Sequence, residues 1–240
     1  DGDARTALNA LELAVSAATP DGSGVREISA AIIEDAMQQR AVLYDKAGDQ
    51  HYDTISALIK SVRGSDPDAA IYWLARMIES GEDPLFIARR LVILASEDIG
   101  LAEPQALSVA IAAQQAVHFL GMPEGRLPLS EATVYLATAP KSNSAYMALE
   151  QALDDVRRLA GEPVPLHLRN AVTGSMRNMG YGKDYQYAHD HPGHFAEQDF
   201  LPPSLKDRRY YQPTEEGTEK EISKRMKEWW GDGDKQDSGV

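Results

Sequence analysis

The residues whose types and spacing could do chemistry fall in a few places along the chain. Arg5 stands in the run Gly2-Asp3-Ala4-Arg5-Thr6-Ala7-Leu8-Asn9, in the first turn of a predicted helix with Asp3 as its cap. A cation there opposes the helix dipole, a mismatch that suits an arginine reaching toward an anionic phosphate. An ordinary solvated arginine is the plainer reading. Glu97-Asp98 precedes Ile99-Gly100 at a predicted helix end, where acids are unfavourable to the dipole. They can cap the next segment, pair with Arg89 or Arg90, or form a subunit contact. Lys141-Ser142-Asn143-Ser144, with Tyr146 behind it, is a cationic, hydroxyl-rich turn. Such a turn can bind an anion at a helix N-terminus, although capping explains Ser142 without a ligand.

Two further groups lie toward the C-terminus. Between 157 and 183, Arg157, Arg158, Arg169, Arg177 and Lys183 form a locally basic region, and Lys206, Arg208 and Arg209 follow beside Tyr210 and Tyr211. Cations interleaved with tyrosines can track a single-stranded nucleic acid by charge and stacking; a solvated face is the alternative. His189, His191 and His194 are close enough in sequence to suggest a metal. Pro192-Gly193 makes a turn among them and no carboxylate pattern accompanies them, so the cluster is assigned no metal.

Other chemistry is excluded by what the sequence lacks. There is no G-x-x-x-x-G-K-[ST] phosphate loop and no acid–base, nucleophile–base or metalloprotease signature. The chain has no cysteine, which removes disulfides, thiol catalysis and cysteine-ligated zinc and fits a reducing compartment. A formal charge of −13 makes it a poor general binder of nucleic acid, since phosphate contacts need local positive charge. No apolar run reaches the length of a membrane span and no signal peptide opens the chain. A cytosolic location follows by default. The chain starts without Met, directly in helix-forming sequence, and is expected to be a fragment of a larger protein.

The elements that must position these residues read as helices throughout. Predicted helices cover residues 1–18, with Leu8, Leu11 and Val15 on an apolar face, then 27–44 and 52–62. Ser65-Asp66-Pro67-Asp68 starts another, with Ile71, Leu74, Ala75 and Ile78 at core spacing. From 84 to 160, prolines mark starts and glycines mark stops. Asp83-Pro84 opens one helix, Pro104 a second ending at Gly121, Pro128 a third and Ser142 a fourth. Four helices with short turns make an antiparallel core. After Gly161 repeated Pro and Gly break the pattern, with one more helix predicted over 166–179 and a terminal one over 216–230. The aromatic, irregular segment 181–213 is expected to pack over a core, and 231–240 to be a disordered tail.

These strings carry a specific resemblance. The run around Arg5 resembles the sensor-2 helix in the lid of AAA+ ATPases of the clamp-loader clade. Trp73-Leu74-Ala75-Arg76-Met77, Arg89-Arg90-Leu91, Ala95-Ser96-Glu97-Asp98-Ile99-Gly100-Leu101-Ala102 and Gly121-Met122-Pro123-Glu124-Gly125-Arg126 are similar to the C-terminal region of the replication-associated recombination ATPases. That is the RarA (MgsA) family, related to Werner-helicase-interacting protein. Ala139-Pro140-Lys141-Ser142-Asn143-Ser144-Ala145-Tyr146, Pro165-Leu166-His167-Leu168-Arg169-Asn170 and Gly180-Tyr181-Gly182-Lys183 continue the match.

The resemblance implies an all-α fold: a partial AAA+ lid over 1–48, a clamp-loader-like helical oligomerisation collar over 49–213, and a C-terminal helix and tail over 214–240. It implies that Arg5 is the sensor-2 arginine, completing a nucleotide site that uses ATP and Mg2+ in the parent ATPase. No catalytic residue and no metal is expected in this chain, which alone should not hydrolyse ATP. The implied partners are further copies of itself as a homotetramer, and, through the parent, DNA and single-stranded-DNA-binding protein, with no membrane. The implied role is replication-fork maintenance, recombination and repair in the cytoplasm at the nucleoid. The alternative is a DNA- or protein-recognition module at the fork that uses the basic region 157–209.

Overall fold

The computed structural model describes residues 52–231 in full, the backbone of 47–51, and separate positions between 8 and 34. Arg5, the Asp3 cap and the tail beyond 231 lie outside the described residues. The described chain is helical, with no strand, as the sequence pattern requires. Its helices are α1 (Ala47–Arg63), α2 (Pro67–Glu79), α3 (Pro84–Leu94), α4 (Gln105–Leu120), α5 (Arg126–Thr138), α6 (Ser144–Arg158), a short α7 (Gly174–Asn178) and α8 (Glu219–Trp230). No described helix is long and apolar enough to cross a membrane.

The chain divides into two compact units, one formed by Asp1–Leu91 with Ala110–Thr138, the other by Val92–Val109 with Ala139–Val240. In the first, α1, α2 and α5 pack on one another. Asp66 caps α2 by accepting from the Ala69 amide at 2.9 Å, with Pro67 at the first helical position. Asp83 does the same for the Leu85 amide at 3.0 Å as α3 begins. Both Asp-Pro starts therefore stand where the sequence places them. The core holds Leu58, Val62, Ala70, Leu74, Ile87, Leu129 and Leu136, each large aliphatic side chain contributing about 1.5–3 kcal/mol by leaving water. Buried Thr133 returns its hydroxyl to the Leu129 carbonyl at 2.8 Å, which spares it a partner from outside the helix.

Several expectations are corrected in this unit. The buried face of α2 is Ala70, Leu74 and Met77; Ala75 is exposed and Ile71 and Ile78 are only half-buried. Leu8, Leu11 and Val15 are exposed, and among the described residues of that segment Ala14 and Ala18 are buried. Helix α5 starts at Arg126, so Pro128 lies within its first turn rather than ahead of it. A proline is tolerated there because the first amides have no intrahelical acceptor.

In the second unit, the chain leaving α3 tightens into a π-turn over Ala95–Ile99 and a 3-10 turn over Gly100–Ala102, and α6 packs against both. The single helix expected over 166–179 is instead a 3-10 turn at Leu166–Leu168 and the short α7. Thr173 is extended and caps α7 with its hydroxyl on the Met176 amide, so a new start breaks the run. The segment 181–213 is irregular, broken only by short 3-10 turns, and α8 closes the described chain from Glu219 rather than from 216.

Candidate functional site

Two buried carboxylates organise the second unit. Glu219, at the first position of α8, is fully buried. The Ser142 hydroxyl donates to its Oε2 at 2.7 Å, and the Ser144 hydroxyl donates to Oε1. The Tyr211 hydroxyl adds a bond to Oε1 at 3.1 Å, and the Thr214 amide and hydroxyl each reach Oε2 at 2.8 Å. The donors are uncharged, so the charge is held by hydrogen bonds rather than by a counter-ion. Burial pushes the Glu219 carboxyl up, but the bonds from Ser144, Thr214 and Ser142 outweigh it and hold it below its ordinary value. Burial, with the Glu219 charge and hydrogen bond, pushes the Tyr211 phenol up to about 12.

The Lys141-Ser142-Asn143-Ser144 turn is thus a docking point for α8. Ser142 also accepts from the Ser144 amide at 3.2 Å, so its local capping role and its long-range bond coexist. The Ser142 amide donates to the Asp98 carbonyl at 2.9 Å, which ties the Glu97-Asp98 turn to the same point. Gly100 follows with φ at +50°, and a Cβ there would stand 2.9 Å from the Ser142 carbonyl oxygen. Asp98 is buried. Burial pulls the Lys141 ammonium down in pKa and the Asp98 charge opposes that shift. These acids and hydroxyls therefore act within the fold.

The second carboxylate is Asp155 on α6, 2% exposed. Arg158 donates to Oδ1 at 2.5 Å, while Arg208 Nε and the Tyr210 hydroxyl reach Oδ2 at 2.8 and 3.0 Å. The Arg158 bond, helped by Tyr210 and Arg208, holds the carboxyl below its usual range against desolvation. The irregular segment before α8 is fastened to α6 through this contact.

Helix α6 buries Ser144 and Asp155, and open apolar side chains stand on it beside the exposed Asp154, Arg157 and Arg158. Leu149 is 58% and Val156 68% exposed, and Ala145 is exposed on the same side. Apolar side chains left open along one stripe of a helix are shaped to meet another apolar surface.

The basic region is partly consumed by the fold. Arg157 pairs with exposed Asp154 at 3.0 Å and Arg158 with Asp155. Arg169 donates to the Val164 carbonyl at 2.6 Å and to the Tyr181 hydroxyl at 3.2 Å, and its guanidinium lies over the Tyr181 ring. Arg177 and Lys183 are exposed. Lys206, Arg209, Phe200, Tyr210 and Trp230 share the rim of a cleft of about 680 Å³ with the acids Glu197 and Asp199. The acids among these cations disfavour a run of phosphates. The His189 ring lies 5.0 Å from His194 and 5.1 Å from Tyr187. Among the described residues, no three potential ligands converge on a metal position.

Neither Glu219 nor Asp155 was singled out by sequence reasoning. Ser142 is 77 residues from Glu219 and Asp155 is 53 from Arg208, so no local spacing links them. The usable signal for Asp155 was its place on the α6 wheel, about 20° from Ser144 and away from Leu149 and Val156.

Comparison with known families accounts for nearly all of the chain. Residues 1–63 match the AAA C-terminal domain and residues 64–230 match the MgsA AAA+ ATPase C terminal family. An AAA domain-containing protein of Mycobacterium tuberculosis is 52% identical over 94% of this chain and 49% of its own length. Replication-associated recombination protein A of Escherichia coli K12 is 47% identical over 94% of this chain and 51% of its own. ATPase WRNIP1 of Dictyostelium discoideum is 43% identical over 88% of this chain and 26% of its own. The chain spans about half the length of the bacterial relatives. From the all-helical fold, the family strings along it and these matches, the chain belongs to the MgsA AAA+ ATPase C-terminal family.

Proposed function

We propose that this chain is the lid and collar of an AAA+ ATPase that acts in replication-fork maintenance, recombination and repair, and that the collar gathers the ATPase modules by self-association. The lid is residues 1–48, the collar 49–213 and the C-terminal helix and tail 214–240. The observation that carries the self-association is the open stripe on α6, where Leu149 and Val156 face solvent. An apolar stripe left in water costs free energy, which is recovered when another surface covers it. A homotetramer raises the local concentration of the modules attached to it.

ATP and Mg2+ belong, in this reading, to the whole ATPase. The described residues converge on no metal position, and no step is assigned to either group here. Arg5 serves as the sensor that couples nucleotide state to the lid. DNA and single-stranded-DNA-binding protein are partners of the whole protein, in the cytoplasm at the nucleoid, with Arg177 and Lys183 still exposed for DNA. The reading of 157–209 as a recognition module is weakened because Arg158 and Arg169 already bind within the fold, while Arg157 pairs only with the exposed Asp154.

Size-exclusion chromatography with light scattering tests the collar: a multimer is expected at micromolar concentration, and a monomer overturns the reading. In the whole ATPase, Arg5→Ala should lower ATP turnover at least tenfold, about 1.4 kcal/mol of transition-state stabilisation. Unchanged turnover removes the sensor role.

A further inference from the structure

We propose that the cleft between the irregular segment and α8 binds a purine nucleotide, with the base among aromatic rings and the phosphate on Arg209. The cleft lies within the second unit alone, and the proposal holds whether or not the chain self-associates. Its volume of about 680 Å³ falls in the range of about 300–1,000 Å³ typical of small-molecule sites. Phe200, Tyr210, Tyr211 and Trp230 line it, and its walls are fastened from outside. Asp155 holds the Tyr210 hydroxyl at 3.0 Å and Arg208 Nε at 2.8 Å, and Glu219 holds the Tyr211 hydroxyl at 3.1 Å. The Gln198 side chain accepts from the Gln186 amide at 3.3 Å and donates to the Gln186 carbonyl at 2.8 Å. The Asp199 carbonyl accepts from His167 Nε2 at 2.7 Å. The Trp230 ring stands edge-on to Phe195 at 5.0 Å. The two buried carboxylates thus set the walls of a cleft that neither of them enters. Walls fixed before binding lose little freedom when a ligand arrives.

The charges on the rim are left over from this fastening. Arg209, Glu197 and Asp199 are exposed, and among the described residues none of the three side chains is bonded to another. The acids come from the 197–201 wall and Arg209 from the 206–211 wall. A carboxylate only accepts hydrogen bonds and a guanidinium only donates them. A ligand that answers both carries N–H donors at one end, an anion at the other and a flat body between them for the rings. A purine nucleotide has these parts. Its exocyclic amine donates to a carboxylate, its base stacks on an aromatic ring, and its phosphate takes the guanidinium fork in a bidentate pair. A single phosphate needs only Arg209, whereas the acids repel a longer run of phosphates. The cleft is therefore better matched to a free nucleotide than to a strand.

The test titrates GMP and AMP into the full 240-residue chain and reads binding by calorimetry and by quenching of tryptophan fluorescence. Saturable binding with a dissociation constant of about 1 mM or below is expected. Arg209→Glu and Trp230→Ala should each weaken it about tenfold or more. Lys224→Glu, at an exposed position of α8 outside the cleft, should leave it unchanged. Trp230 touches Phe195, so Arg209→Glu, at an exposed side chain, keeps the test informative if the tryptophan variant loosens α8. No saturable binding up to about 10 mM overturns the proposal, and so does binding that Arg209→Glu leaves as it was. Inorganic phosphate or ribose 5-phosphate binding as tightly as GMP would mean an anion site without a base, and overturns it too. A short single-stranded oligonucleotide that binds where GMP does not would assign the cleft to a strand and overturn the free-nucleotide reading.

Discussion

Glu219 shows how a single buried charge can hold a fold without a cation. Its five hydrogen bonds come from Ser142, Ser144, Tyr211 and Thr214. Removing the carboxylate strands several donors in a dry site. Glu219→Ala should cost about 3 kcal/mol, visible as a lower melting temperature, and Glu219→Gln less. The depressed carboxyl fixes the sign of the pH dependence. Its stabilisation is complete above the unfolded value near 4.5 and is lost as pH falls through the lower folded value, where the native state must take up the proton. Thermal melts of the parent should therefore fall as pH drops below 4.5, and those of Glu219→Gln should fall less steeply. Tyr211 offers an independent readout. With its phenol raised to about 12, ultraviolet titration should lose one late-ionising tyrosine when Tyr211 is changed to Phe. An unchanged titration curve would remove the Glu219–Tyr211 contact from the account.

At the scale of elements, the feature that matters is how α8 reaches α6. Gly217 has φ of +50°, and a Cβ built there collides with the Ala102 carbonyl oxygen and the Pro140 ring. The neighbouring Thr218 amide donates to that same carbonyl at 2.8 Å. Only glycine allows both the conformation and the approach. Gly217→Ala should release α8, and limited proteolysis should then cut between 211 and 218 at least tenfold faster than in the parent, a loss of protection of about 1.4 kcal/mol. Equal cleavage rates would mean the close approach is dispensable. Starts such as Asp66-Pro67 and Asp83-Pro84 were legible because capping is local. The break at Thr173 was missed because 166–179 keeps enough apolar spacing to read as one helix, while a capping threonine restarts it. The α2 face was misread for a related reason. Its wheel offers two overlapping apolar stripes, and contact with α1 and α5 selects Ala70, Leu74 and Met77.

For the whole molecule, the all-helical fold and the family were legible because they rest on local strings such as Ala95–Ala102 and Ala139–Tyr146. The use of those strings was not. Ser142 and Ser144 read as a cap or an anion turn, and their role as donors to Glu219 depends on a contact 77 residues away. The basic region read as a patch, but patches are counted in sequence and ion pairs are made in space, so Arg208 is drawn onto Asp155 from 53 residues away. The open face of α6 needed burial as well as periodicity, since a wheel shows that a stripe exists without showing which way it points.

The collar's proposed role depends on copies of this chain holding together. Native mass spectrometry of the chain at micromolar concentration counts those copies directly. The account predicts a dominant species of four times 26.3 kDa, and a spectrum containing only the 26.3 kDa monomer would contradict it.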